Sequence, residues 1–195
     1  MKNKITLINK KNMIQSIVAI LCGCLSFLMD KVVINIISVV QQPLLFTFFY
    51  TITIFGEIYI FILIALILIA ALMIYHKPIA AFILTLVTTL ITETVLKVVI
   101  NRPRPYEAMH ITNSIITNMS SFPSGHTMIF FSIIPIMSKN FPKIKILFWI
   151  MAALVGLSRI YLGVHYFSDV VCGAILGYGI GWICMKIGEK YAWKY

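Results

Sequence analysis

The chain has 195 residues, of which 61% are hydrophobic and 11% are charged, and its net charge is +10. Soluble domains carry roughly 25% charged residues, so this composition, with a mean hydropathy of +0.98, excludes an ordinary soluble protein and predicts an integral membrane protein. The positive charge does not indicate nucleic-acid binding, because the basic residues form short clusters between apolar stretches, as topology signals and lipid headgroup contacts do.

The apolar stretches predict an all-α fold, a six-transmembrane-helix bundle that makes a single domain over residues 1–195. The predicted spans are 13–29, 56–75, 79–100, 124–138, 144–158 and 168–187. Between the first two spans, residues 30–42 place Val33, Ile36 and Val40 on one helical face and polar side chains on the other. This pattern predicts an amphipathic helix at the membrane interface.

Two spans carry informative residues. Glu93 and Lys97 are four residues apart in the third span, so they share one helical face. Charge inside a span is costly and usually functional, which makes Lys97 a candidate site residue with Glu93 as its partner. The last span carries a ridge of small residues at Gly173, Gly177 and Gly181. Such a ridge favours close helix packing, within the monomer first and in a possible homodimer second.

The long polar loop after the third span begins with Arg102-Pro-Arg-Pro105. Its prolines stiffen the chain and so position the arginines. The loop ends at Pro123-Ser-Gly-His126, which predicts a helix start whose free backbone N–H groups can bind an anion.

The stretch Ser158–Asp169 combines Arg159, His165 and Asp169 in a sequence with little other charge. His165 and Asp169 share one helical face, and a carboxylate there can fix the tautomer of the imidazole and leave its other nitrogen free to attack. The planar guanidinium of Arg159 suits a phosphate group, and Gly163 allows the chain to turn between them. A satisfied polar cluster at a helix end is the alternative interpretation.

Six spans place both termini on the cytoplasmic side of the plasma membrane. The outer side then receives five cations, Lys31, Lys97, Arg102, Arg104 and Arg159, while eleven of the sixteen lysines and arginines lie inside. This distribution follows the positive-inside rule and collects the candidate residues at one extracytoplasmic face. Three cations, two histidines and one aspartate suit phosphoryl transfer without a metal or another cofactor, because the cations hold the phosphate oxygens.

Three motifs together resemble the signatures of the type 2 phosphatidic acid phosphatases, the lipid phosphate phosphatases. They are Lys97-(six residues)-Arg104-Pro105, Pro123-Ser-Gly-His126, and Ser158-Arg159-(five residues)-His165-(three residues)-Asp169. The resemblance implies a six-helix bundle and a metal-independent phosphatase with its site at the outer face. It also implies a substrate such as phosphatidylglycerophosphate, phosphatidate or undecaprenyl pyrophosphate.

The resemblance also implies a role for each matching residue. His165 would be the nucleophile that forms a phosphohistidine, Asp169 its orienter, and His126 the general acid and base. The phosphate would be bound by Lys97, Arg104, Ser124, Gly125 and Arg159.

Two alternatives remain. Soluble vanadium haloperoxidases carry the same motifs, although six spans in 195 residues argue against that class. An anion channel or transporter would use the same cations as a filter. Such a protein needs charges along a path through the bundle, whereas here they cluster at one end.

Overall fold

The structure, a computed structural model, describes residues 2–54, 56–75, 77, 79–105 and 120–191, with only the backbone described for 2–12 and 58. This part of the chain contains no strand, so the all-α prediction is confirmed. Its helices are α1 (Lys2–Val40), α2 (Pro43–Ile54), α3 (Ile58–Ile74), α4 (Ile79–Ile100), α5 (Gly125–Asn140), α6 (Lys145–Tyr161) and α7 (Phe167–Lys190), with a short 3₁₀ turn (Pro142–Ile144) before α6.

Several of these helices are long and apolar enough to cross a membrane. By length and composition there are four in the described residues, at Met13–Val40, Ile79–Ile100, Pro142–Tyr161 and Phe167–Lys190. A fifth results if α2 and α3 together make one bent span. Helix α5 has 16 residues, fewer than the roughly 20 that a straight span needs. A membrane protein is therefore confirmed, but six spans are not.

The sequence predicts that the first span ends before Asp30 and that a separate interfacial helix begins there. The structure does not show this boundary. Helix α1 continues through Asp30 to Val40 without a break. The reason is that Asp30 faces the protein rather than the interface. It is only 6% exposed, and its carboxylate accepts a hydrogen bond from the backbone N–H of Ser168 at the start of α7 (2.8 Å).

Helix α2 was not predicted as a helix of its own. Pro43 occupies its first position, where the missing N–H costs nothing. Its aromatic face packs on the end of α6, with the rings of Phe49 and Tyr161 4.6 Å apart. The Tyr161 hydroxyl also accepts a hydrogen bond from the backbone N–H of Gln42 (3.0 Å). These contacts hold α2 against the helix that carries Arg159.

Helices α5 and α7 form the centre of the bundle through direct backbone contact. A Cβ atom on Gly177 would lie 2.1 Å from the carbonyl oxygen of Met128, and one on Gly181 would lie 1.8 Å from that of Ser132. From the first contact to the second, the residue number rises by four on both helices. The two helices therefore run parallel and begin at the same end. The ridge of small residues thus packs within the monomer, as predicted, and this surface is not available for a homodimer.

Candidate active site

Two turns bring the distant motifs together. Asn101 has a left-handed backbone (φ 42°) and ends α4, which directs the following arginines across the bundle. Gly163 has φ 68°, a conformation that glycine adopts without strain. This second turn brings the His165 backbone N–H to the Arg159 carbonyl oxygen (3.2 Å).

The predicted site residues lie at one end of the bundle, where α4 and α6 end and α5 and α7 begin. The positive charges of Lys97, Arg104 and Arg159 act on both His126 and His165. Most of this cluster is buried: Arg104 is 5% exposed, Arg159 4%, His165 3% and Asp169 0%. The structure therefore brings together the residues that the three motifs supply.

The imidazole of His165 is held by the backbone. Its Nδ1 lies 2.7 Å from the carbonyl oxygen of Ser121, and a carbonyl oxygen only accepts hydrogen bonds, so Nδ1 carries the proton. In the neutral ring, Nε2 then keeps its lone pair and is the nitrogen available for nucleophilic attack. Sequence reasoning missed the Ser121 carbonyl, because every residue has a backbone carbonyl.

Asp169 lies close to the same nitrogen but is not its nearest acceptor. Asp169 Oδ2 is 3.5 Å from His165 Nδ1, while it accepts a 2.9 Å hydrogen bond from the backbone N–H of Tyr166. Burial of this carboxylate beside the ring places a negative charge where an imidazolium would form. Its contact with His165 in this geometry is electrostatic, and the tautomer is fixed mainly by Ser121.

The environment of His165 predicts an unusual pH dependence. Burial, followed by the positive charges of Arg159, Arg104 and Lys97, lowers the pKa of His165 well below its ordinary value of 6.5. An imidazole with a lowered pKa stays neutral to lower pH, so His165 should keep a free lone pair for attack as the pH falls through 6.5. We expect kcat/KM, after correction for ionisation of the substrate, to fall through protonation of His165 only below pH 6.5. An acid limb centred at pH 6.5 would contradict this placement.

The two buried arginines are anchored in different ways. Arg104 donates to the carbonyl oxygen of Val164 (3.0 Å), the residue before His165. Arg159 donates to the hydroxyl of Thr53 at the end of α2, and its Nε has no hydrogen-bond partner among the described residues. Buried donors are nearly always paired, so an oxyanion at this position would satisfy it.

Lys97 forms the predicted ion pair with Glu93. The Nζ to Oε1 distance is 2.6 Å, and the two side chains are 12% and 14% exposed. Glu93 also packs against the start of α5, where a Cβ on Gly125 would lie 1.9 Å from its Oε1. Glu93 thus holds Lys97 next to the helix start that bears His126.

The second histidine stands at the first turn of α5. His126 Nε2 is buried without a hydrogen-bond partner in the described part of the chain, and the nearest carboxylate oxygen, Oε1 of Glu57, is 3.9 Å away. Gly56 passes directly over the ring, since a Cβ there would lie 2.0 Å from its Cδ2. The ring is therefore held by packing and keeps Nε2 available for a proton transfer.

Ser124 and Gly125 connect the starts of α5 and α7. The backbone N–H of Ser124 donates to the Asp169 carbonyl oxygen (3.1 Å), and its hydroxyl lies 3.0 Å from that of Thr127. The parallel helices α5 and α7 both direct their N-termini to this end, where their dipoles favour negative charge. The helix geometry thus adds to the positive potential of the three cations.

Two site residues were missed by sequence reasoning. Arg102 contacts Asp169 directly, with its Nη1 2.6 Å from Oδ1, and its Nη2 lies 2.7 Å from Oδ2 of Asp30. Arg102 had been assigned only to the outer cations, and Asp30 to a helix boundary. The one available signal was a lone carboxylate in an apolar stretch, which is costly unless it is paired.

Comparisons with known proteins identify the family to which the chain is similar. The family description that matches is the PAP2 superfamily, over residues 78–193. Phosphatidylglycerophosphatase B of Bacillus subtilis is 30% identical over 174 residues, covering 83% of this chain and 84% of the relative. An undecaprenyl-diphosphatase of Sulfolobus acidocaldarius is 32% identical over 108 residues, covering 54% and 52%.

A solved structure of a PAP2 phosphatase also resembles this chain. The crystal structure of a transmembrane PAP2 type phosphatidylglycerolphosphate phosphatase from Bacillus subtilis has a TM-score of 0.72 to this chain at 25% identity, and the match covers 89% of this chain and 96% of that one. The family match covers more than half of the chain, and the match to phosphatidylglycerophosphatase B covers 83% of this chain and 84% of that relative. The chain therefore belongs to the PAP2 superfamily and is a phosphoric ester hydrolase.

Proposed function

We propose that the chain is a metal-independent lipid phosphatase that hydrolyses the phosphomonoester or pyrophosphate of a membrane lipid through a phosphohistidine on His165. The observation that supports this most directly is a largely buried group of three cations around two histidines, of which Lys97 and His126 line the end of an apolar cavity. The cations suit the charged headgroup, and the cavity suits a hydrocarbon chain.

The cavity lies between α3, α4 and α5 and has a volume of about 630 Å³, within the range of roughly 300–1,000 Å³ that is usual for ligand sites. Phe61, Leu66 and Leu90 are among its apolar lining residues, whereas Lys97 and His126 mark its polar end. A lipid whose tail lies along the apolar wall would therefore present its phosphate to Lys97 and His126, next to the buried His165.

The proposed reaction has two steps. His165 Nε2 attacks phosphorus while Lys97, Arg104 and Arg159 hold the equatorial oxygens, where charge accumulates. The bond to the leaving oxygen breaks with its electron pair, and His126 donates a proton to that oxygen. Water, deprotonated by His126, then attacks the phosphohistidine, which releases phosphate and restores both histidines.

Ser124 and Gly125 take part in phosphate binding in this proposal through the helix start that they form. Asp169 stabilises the positive charge that develops on His165 during the attack. Three fixed cations supply the charge that a metal ion provides in other phosphatases, so the proposal requires no metal.

A substrate panel tests the function. Purified protein in detergent should release phosphate from phosphatidylglycerophosphate faster than from phosphatidate or undecaprenyl pyrophosphate, because the relative matched over most of its length is named for phosphatidylglycerophosphate. Vanadate should inhibit, since it occupies phosphate sites, and excess EDTA should not. Anion flux through liposomes without phosphate release from any lipid would favour the transporter alternative instead.

We propose further that the active site faces the outside of the plasma membrane and that both termini are cytoplasmic. The distribution of lysine and arginine supports this orientation. In a variant lacking Cys22, Cys24, Cys172 and Cys184, a cysteine at position 113, outside the described residues, should react with an impermeant thiol reagent on whole cells. A cysteine at Asn140, at the other end of α5, should not react. The reverse labelling pattern would place the site in the cytoplasm.

A further inference from the structure

Arg102 is a partly buried cation at this end of the bundle that the proposed phosphate site does not use. Its guanidinium contacts carboxylates on two different helices, Asp30 on α1 (2.7 Å) and Asp169 on α7 (2.6 Å). The same guanidinium donates to the hydroxyl of Ser168 (2.7 Å) and lies 3.9 Å from the ring centroid of Tyr166. Three of these contacts lie at the start of α7, and the contact with Asp30 joins that helix start to α1.

Asp30 completes the same network from the first helix. Its Oδ1 accepts from the backbone N–H of Ser168 (2.8 Å) and its Oδ2 from the Ser168 hydroxyl (2.6 Å). The Asp30 and Asp169 side chains are 8% and 0% exposed, against 21% for Arg102. Two buried carboxylates without a shared cation would repel each other, so Arg102 allows both to stay charged at this position.

The network acts on the nucleophile through Asp169. With Oδ1 bound by Arg102 and Oδ2 bound by the Tyr166 backbone, the carboxylate has one fixed orientation 3.5 Å from His165 Nδ1. Asp30 lies outside residues 78–193, the part of the chain that matches the family. The contribution of α1 is therefore additional to the family motifs.

We propose that Arg102 and Asp30 are positioning residues, which hold the Asp169 carboxylate against His165 and so set the rate of the chemical step without binding phosphate. This inference rests on the proposed function of His165 and Asp169. What it adds is that a residue of the first helix affects catalysis through an arginine that is bound to Asp169.

The test compares Arg102→Met, Arg102→Lys and Asp30→Asn with Lys31→Met, an exposed cation next to Asp30 that serves as the matched control. We expect kcat of Arg102→Met on the best lipid of the panel to fall by about 10²-fold, the loss that misplacement by 1 Å produces. The inhibition constant for inorganic phosphate should stay within about twofold, because no phosphate ligand is removed. Arg102→Lys should recover part of the loss, and Lys31→Met should behave as wild type.

A double-mutant cycle identifies the route of the effect. Asp30→Asn alone should lower kcat less than Arg102→Met, and in the Arg102→Met background it should have little further effect, because Asp30 acts through Arg102. If Arg102→Met fails to fold in detergent, Asp30→Asn, which keeps an acceptor for the Ser168 N–H, still tests the prediction of lower kcat with unchanged phosphate inhibition.

Three results would overturn the inference. A phosphate inhibition constant that rises in step with the loss of kcat would make Arg102 a phosphate ligand. Normal turnover of folded Arg102→Met, or of folded Asp30→Asn, would make the network irrelevant to catalysis. Additive losses of kcat in the double-mutant cycle would show that Asp30 does not act through Arg102. Failure of the wild-type protein to hydrolyse any lipid would instead refute the proposed function, so the two failures are distinguishable.

Discussion

Replacement of His165 by alanine is expected to abolish phosphate release, with a loss of about 10⁶-fold, which is the order found when a covalent nucleophile is removed. No other group replaces it, because Nε2 of His165 is the nitrogen that the Ser121 hydrogen bond leaves free for attack. The measurement is the initial rate of phosphate release from the best lipid substrate. The protein should stay folded, since the cavity left by the ring lies at the polar end of the bundle.

The covalent intermediate gives an independent measurement. Wild-type protein quenched during turnover of a lipid with a radiolabelled phosphate should carry label that is stable to alkali and lost in acid, as expected for a phosphorus–nitrogen bond. His165→Ala should carry none. His76→Ala is the matched control and should label normally, because His76, which lies outside the described residues, belongs to none of the three motifs. Near-normal turnover by His165→Ala would refute the mechanism.

Replacement of His126 by alanine should distinguish between classes of leaving group. The alkoxide that leaves from a phosphate monoester is a strong base and needs a proton in the transition state, whereas a pyrophosphate expels a phosphate, which needs less help. General acid catalysis contributes roughly 10²–10⁴-fold. We therefore expect His126→Ala to slow a monoester lipid by one to two decades more than a pyrophosphate lipid.

The measurement for His126 is single-turnover formation of the phosphoenzyme, which isolates the first step from hydrolysis of the intermediate. Its control is His165→Ala, which should eliminate the phosphoenzyme with both substrates. Equal losses for the two substrates in His126→Ala would show that His126 is not the acid for the leaving group. The buried Nε2 of His126 would then serve only to bind phosphate.

Much of the site was predictable because its residues are chemically conspicuous. In an apolar chain, Lys97, Arg104, Arg159 and Asp169 are charges that a membrane protein keeps only for a reason, and their spacing matched a known set of motifs. The helix periodicity and the start signal at Ser124 also indicated where α5 begins. These features depend on local sequence, which is why one chain was sufficient to predict them.

The missed features depend on contacts between distant residues or on backbone atoms. Asp30 and Arg102 are 72 residues apart, and nothing in the local pattern of α1 separates a carboxylate that faces water from one that faces a partner. The Ser121 carbonyl that holds His165 has no side-chain signal at all. The separate interfacial helix, which the structure does not contain, was predicted because α1 has polar residues on one face. Such residues indicate a polar neighbour but do not show whether it is solvent or protein.

The backbone contact between α5 and α7 has a consequence for how the protein moves. Gly177 and Gly181 touch carbonyl oxygens of the facing helix. At these contacts no side chains lie between the two helices, so the helices cannot slide past each other by repacking side chains. His126 and Asp169, at their starts, therefore belong to one rigid body. On the proposed function, a lipid would then enter and leave on the other side of the cavity, by movement of α3 and of the Gly56–Glu57 turn that covers His126, while His126 and Asp169 stay in place.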